Sequence, residues 1–133
     1  MPILITLTFF TYKAHLHVPL ILWTFSSVSQ ESFKVLLLNN SNKIKGIYQL
    51  STGGITGTLV DIRILFAVIL KSLSVAVILS HCHPSGKLIP SEADKQLTQK
   101  IKNAAAFFDV KVLDHLIIVP NGEYYSFADE GIL

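Results

Sequence analysis

One cysteine, Cys82, stands among the 133 residues. No internal disulfide can form from it, which fits a reducing compartment such as the cytoplasm. Charge is scarce as well. Asp, Glu, Lys and Arg make up 15% of the chain, against about 25% in ordinary soluble domains. The formal net charge is +2, and no Lys/Arg block concentrates it, so the chain offers no electrostatic footprint for nucleic acid. No aromatic platform interleaved with basic residues is visible either. Acids are missing altogether from residues 1–30, where Lys13 is the one charged group. Repeats and low-complexity linkers are lacking too. Disorder is excluded, because a chain that is 50% hydrophobic can offset the entropy of ordering itself.

Long apolar runs are also lacking. The mean hydropathy of +0.51 raises the membrane question, yet a spanning helix needs about 20 predominantly apolar residues in a row. The longest stretch free of Asp, Glu, Lys and Arg, 14–30, contains His15, His17, Pro19 and a polar tail. The runs 64–70 and 74–80 are closed by Arg63, Lys71 and His81. Such lengths fit buried strands and a core helix, and no membrane partner is expected. Residues 1–12 have the apolarity of a signal h-region, but no basic n-region precedes them, which disfavours a signal peptide.

What is present reads as one domain of sufficient size to bury a core without disulfides. Charge divides the chain into an atypical apolar segment, 1–30, and a domain over 31–133. The first holds a β-rich lead-in at 3–10 and a second candidate strand at 20–25. From Phe33 onward, 33–38 and 43–49 form a hairpin about an Asn/Ser turn. A Gly/Thr loop follows at 51–57, then a buried helix at 59–71. Residues 75–81 form a strand apolar on both faces, hence central in a sheet. A helix over 92–108 places Leu97, Ile101, Ala104, Ala105 and Phe108 on one stripe. Strands at 110–119 and 123–127 close the chain about Pro120-Asn121-Gly122. The order ββαβαββ describes an α+β domain, a mixed sheet with two main helices packed on it.

The chemistry lies where the central strand stops. His81 and His83 alternate to the same face, beside the loop Pro84-Ser85-Gly86. Two imidazoles so placed can bind one metal ion. Taken alone, an H-x-H pair reads more readily as two hydrogen-bonded histidines. Asp94 follows in the first turn of the next helix, where the loop could return it to the strand end. Ser91 and Asp94 also resemble a capping box, and spacing does not separate capping from ligation. Glu31, the first acid, would suit a proton acceptor if its strand lies beside that ending at His81. Otherwise it is a solvated strand-start carboxylate. Cys82 should point away from the histidine pair and be a small buried group.

The series His81-x-His83-Pro84-Ser85-Gly86 and Pro90-Ser91-x-x-Asp94 resembles the JAB/MPN domain with its JAMM metal motif, and more closely its RadC-like bacterial branch. Segments 33–39, 53–58 and 112–118, Tyr125-Ser126-Phe127 and Gly131 agree with that branch, so the likeness covers about residues 30 to 133. It implies that His81, His83 and Asp94 coordinate Zn²⁺. Glu31 would hold and deprotonate a water, and Ser91 would donate to the developing oxyanion. The reaction implied is hydrolysis of a peptide or isopeptide substrate. Asp114 and His115 match a family segment but read as structural support. Two departures stand out: Cys82 occupies a position where the family usually has Asn, and residues 1–30 lack the usual upstream pattern. That segment is expected to add a sheet edge or a homo-oligomer contact. The alternative is a non-catalytic MPN-like interaction module. A role in DNA repair, which the branch's traditional name suggests, gains nothing from the sequence.

Overall fold

The computed structural model describes residues 8–11, 31–52 and 60–133. Among them are six strands and two helices: β1 (Thr8–Thr11), β2 (Ser32–Leu38), β3 (Lys43–Thr52), α1 (Ile62–Lys71), β4 (Ala76–Cys82), α2 (Glu92–Ala106), β5 (Lys111–Ile118) and β6 (Tyr124–Ser126). The sheet runs β1-β3-β2-β4-β5-β6. All neighbours are antiparallel except β4 and β5. This is the expected α+β architecture. The single parallel pair follows from the helical crossover through α2, since parallel neighbours need a connection long enough to return the chain. The lead-in at 3–10 is described only at its end, and the candidate strand at 20–25 and most of the loop at 51–57 lie outside the described residues.

Strand alternation sorts the core. Phe33, Val35 and Leu37 of β2 and Val77 and Leu79 of β4 share a cluster with Leu65, Phe66, Val68 and Ile69 of α1 and Ile101 and Ala105 of α2. Leu36, Leu38, Ile78, Cys82, Leu116 and Ile118 form a second cluster on the opposite face. Each strand residue therefore chooses its layer by parity.

Both helices begin later or end sooner than apolar content alone predicts. Helix α1 starts at Ile62 because Asp61 caps it, accepting from the Arg63 amide at 2.9 Å. Helix α2 stops at Ala106, and Asp109 takes a left-handed φ of +54° as the chain turns into β5. Phe108 is thus outside the helix and half exposed, resting against Phe66 with ring centroids 5.6 Å apart. Of the expected stripe, Ile101 and Ala105 are buried while Leu97 and Ala104 pack at its margin.

No helix among the described residues is long and apolar enough to cross a membrane.

Candidate metal centre

The antiparallel register of β2 on β4 sets Phe33 opposite His81. Glu31 lies two residues upstream of Phe33, level with His83 and on the same face by parity. The condition placed on Glu31, that its strand should neighbour the one ending at His81, is met. Ligand atoms of Glu31, His81 and His83 all lie within 4.8 Å of one another. His81 Nε2 is 3.9 Å from Glu31 Oε2.

Asp94 enters from the other side. Its Oδ1 is 3.3 Å from His81 Nδ1, and its Oδ2 is 3.4 Å from His83 Nε2. The capping box is also present: Ser91 N donates to Asp94 Oδ2 at 2.8 Å, and Asp94 N donates to Ser91 Oγ at 3.1 Å. Capping and approach to the imidazoles are therefore not alternatives. The box occupies Oδ2 and leaves Oδ1 turned to His81. Ser91 is exposed and accepts within the box, so its own hydroxyl proton stays free for another acceptor.

The tautomer of His83 is set locally. Its Nδ1 lies 2.8 Å from the Lys87 carbonyl oxygen, which can only accept, so Nδ1 carries the proton. Gly86 makes this turn: its amide donates to the His83 carbonyl at 3.1 Å, with φ at +82°. A side chain there would cost roughly 1–2 kcal/mol in left-handed strain. In the neutral ring, Nε2 then turns a lone pair towards a carboxylate oxygen. That arrangement is repulsive until a proton or another cation comes between them.

The electrostatics agree. Contact with Asp94 raises the His83 imidazole above its usual range, against the opposing effect of burial. Burial pushes the Asp94 carboxyl up, but His81, His83 and Ser91 together outweigh it and hold the group far below the ordinary carboxylate range. His81 is buried, and neither of its ring nitrogens has a hydrogen-bond partner. Buried polar atoms normally find partners, because leaving one unmatched costs about 1–3 kcal/mol. Two imidazole nitrogens that face carboxylates without forming a hydrogen bond suit a cation, and the donor set of imidazole and carboxylate is one that Zn²⁺ accepts. The cluster could bind a metal ion.

Cys82 turns to the opposite face, 2% exposed among apolar neighbours, and burial raises its thiol pKa. The position where the family usually has Asn is thus filled by a small buried group. Thr98 and His115 lie behind the cluster, Thr98 bonded to the Asp94 carbonyl and His115 near the His81 ring. An apolar stripe along α2 does not mark Thr98, whose side chain is polar. Its place four residues after Asp94 is the signal that would have found it.

A mixed sheet with two packed helices is an α+β architecture consistent with the JAB/MPN class. The RadC-like JAB domain family matches residues 14–132, and the chain belongs to it. The matched span begins upstream of Glu31. A UPF0758 protein of Flavobacterium johnsoniae is 58% identical over 102 residues, covering 77% of this chain and 44% of the relative. One from Porphyromonas gingivalis is 46% identical over 108 residues, covering 81% and 48%. The Escherichia coli UPF0758 protein YeeS is 36% identical over 135 residues, covering 92% and 90%. The chain thus spans about half the length of the first two relatives and nearly all of the third.

Proposed function

We propose that the chain is a zinc-dependent hydrolase of the JAMM metallopeptidase or isopeptidase type. The observation that carries this reading is the buried His81 ring, without a hydrogen bond at either nitrogen, between the carboxylates of Glu31 and Asp94. His81, His83 and Asp94 would hold the metal. Bound Zn²⁺ supplies Lewis-acid polarisation of the scissile carbonyl and lowers the pKa of a water to about 7.

The remaining work falls to the chain's own groups. Exposure divides the carboxylates between roles. The Asp94 side chain is 10% exposed and pinned by the Ser91 amide, whereas that of Glu31 is 30% exposed. Only the second can exchange protons with an incoming water and a departing amine. Glu31 takes a proton from the attacking water as the C–O bond forms. It returns that proton to the nitrogen as the C–N bond breaks. Ser91 donates its free hydroxyl proton to the oxygen that gains negative charge.

Metal analysis of the purified chain is expected to give one zinc per chain, lost in His81→Ala and in Asp94→Ala. Glu31→Gln should keep the metal and abolish hydrolysis of any amide that the wild type cleaves. A purified chain that binds no zinc would sink this reading. The exposed Phe107 and Leu73, at 88% and 80%, favour the second reading, a non-catalytic interaction module. That version predicts unchanged partner binding in Glu31→Gln and no hydrolysis of any amide.

A further inference from the structure

Behind the cluster lies an imidazole that the proposed reaction does not use. His115 is fully buried in β5, paired with Leu79 two residues before His81. Its ring stacks on Phe127 with centroids 4.5 Å apart and meets the edge of Phe33 at 5.6 Å. It lies 6.3 Å from the His81 ring. Its Nδ1 is 2.6 Å from Thr98 Oγ1, and the same hydroxyl donates to the Asp94 carbonyl at 2.7 Å.

The proton count fixes the direction of this chain. Thr98 has one hydroxyl proton and gives it to the Asp94 carbonyl, so its contact with His115 must be donated by His115 Nδ1–H. The ring thus carries a proton on Nδ1, stacked on Phe127 and set edge-to-ring against Phe33. One side chain thereby links the three elements around the cluster. It meets the His81 ring on β4, Phe33 two residues after Glu31 on β2, and the Asp94 turn of α2 through Thr98.

Resting on the metal reading above, we infer that His115 and Thr98 are positioning residues which set the approach of the helix-borne Asp94 to the strand-borne imidazoles. A packing role alone would need neither the Nδ1–H donor nor the hydroxyl. Val at 98 or Phe at 115 would fill similar space. The pair of hydrogen bonds adds a fixed separation between α2 and β5, so that Asp94 Oδ1 meets His81 on reaching the sheet.

The test uses the full chain with Thr98→Val, which keeps the branched shape and removes the oxygen. Thr98→Ser restores the oxygen, and His115→Asn keeps a donor near the Nδ1 position. Zn²⁺ affinity is measured by competition with a chromogenic chelator, ligand geometry by the visible spectrum of the Co²⁺-loaded protein, and stability by urea. Thr98→Val is expected to bind Zn²⁺ 10–100-fold more weakly, as is typical for losing a partner that orients a ligand. Its Co²⁺ spectrum should be altered, and Thr98→Ser should recover both. Wild-type affinity and an unchanged spectrum in Thr98→Val, with only a lower urea midpoint, would overturn the inference.

Crystal structures of metal-free wild type and Thr98→Val separate this inference from the metal reading. If the wild type binds no Zn²⁺, the metal reading fails on its own. Displacement of Asp94 Oδ1 from His81 Nδ1 in the variant would still uphold the positioning role, and an unmoved Asp94 would reject it.

Discussion

Asp94 holds a helix start and faces two imidazoles with the same carboxylate, and the two duties separate by substitution. Asn at 94 keeps an oxygen able to accept from the Ser91 amide but removes the charge. Asp94→Asn should therefore keep the cap, and the stability it loses should be that of the carboxylate charge beside the imidazoles. It should weaken metal binding by more than about 100-fold, beyond the range for losing an outer-sphere partner. Ser91→Ala should do the reverse, losing about 1 kcal/mol in urea unfolding while metal stoichiometry stays unchanged. Equal losses of stability and metal in both variants would refute this division. The resemblance to the JAMM pattern singles out Asp94 and the histidines in the sequence, where spacing alone leaves Asp94 between capping and ligation. The sharing of two oxygens was not legible there, because it depends on which way the carboxylate turns.

At the scale of elements, the fastening of the C-terminal segment to β5 rests on one buried acid. Asp114 is 1% exposed. Its Oδ1 accepts from His115 N at 2.7 Å and Ala128 N at 3.0 Å, and its Oδ2 accepts from Ser126 Oγ at 2.6 Å. Burial raises its pKa, opposed by those three donors. Truncation to Ala leaves the donors unmet, and each buried unmet donor costs about 1–3 kcal/mol. Asp114→Ala should therefore lower unfolding free energy by about 3 kcal/mol or more and speed amide exchange at Ala128, with Asp114→Asn intermediate. The segment matters to the site because Phe127, held in place here, forms the wall on which His115 stacks. The strands and helices around it were legible from periodicity, to within a few residues at their ends. The early stop of α2 at Ala106 was not, because Phe107 and Phe108 continue an apolar pattern while the backbone has already turned.

For the whole molecule, two histidines give the metal-free chain a stability maximum near the ordinary imidazole pKa. His83 has a folded pKa raised above its unfolded value of 6.5. Its contribution is complete below that pH and is lost as pH rises through the folded value. His115 runs oppositely: burial first, then the neighbouring His81, push it down to about 3. Its contribution is present above 6.5 and is lost as pH falls towards the folded value. Asp94, depressed from 3.8, adds to the acid loss below that value, while raised Asp114 partly offsets it. Urea midpoints of the metal-free chain should thus be highest near about pH 6.5 and fall on either side. His83→Gln should flatten the alkaline limb. A midpoint that rises steadily from about pH 6.5 to 8 would contradict this account.

By itself the sequence determined the element order and the parity of each strand, since these follow from local periodicity. It also carried the family, because the histidine pair, loop prolines, Ser91 and Asp94 lie within one short stretch. Only the tertiary structure decided that β2 lies against β4, which brings Glu31 level with His83. Strand order depends on contacts between segments far apart in the chain, and no local pattern encodes it. The same holds for Thr98 and His115, which lie 17 residues apart in the chain. They meet because a right-sized crossover lays α2 across a parallel strand pair, a consequence of packing and not of any motif.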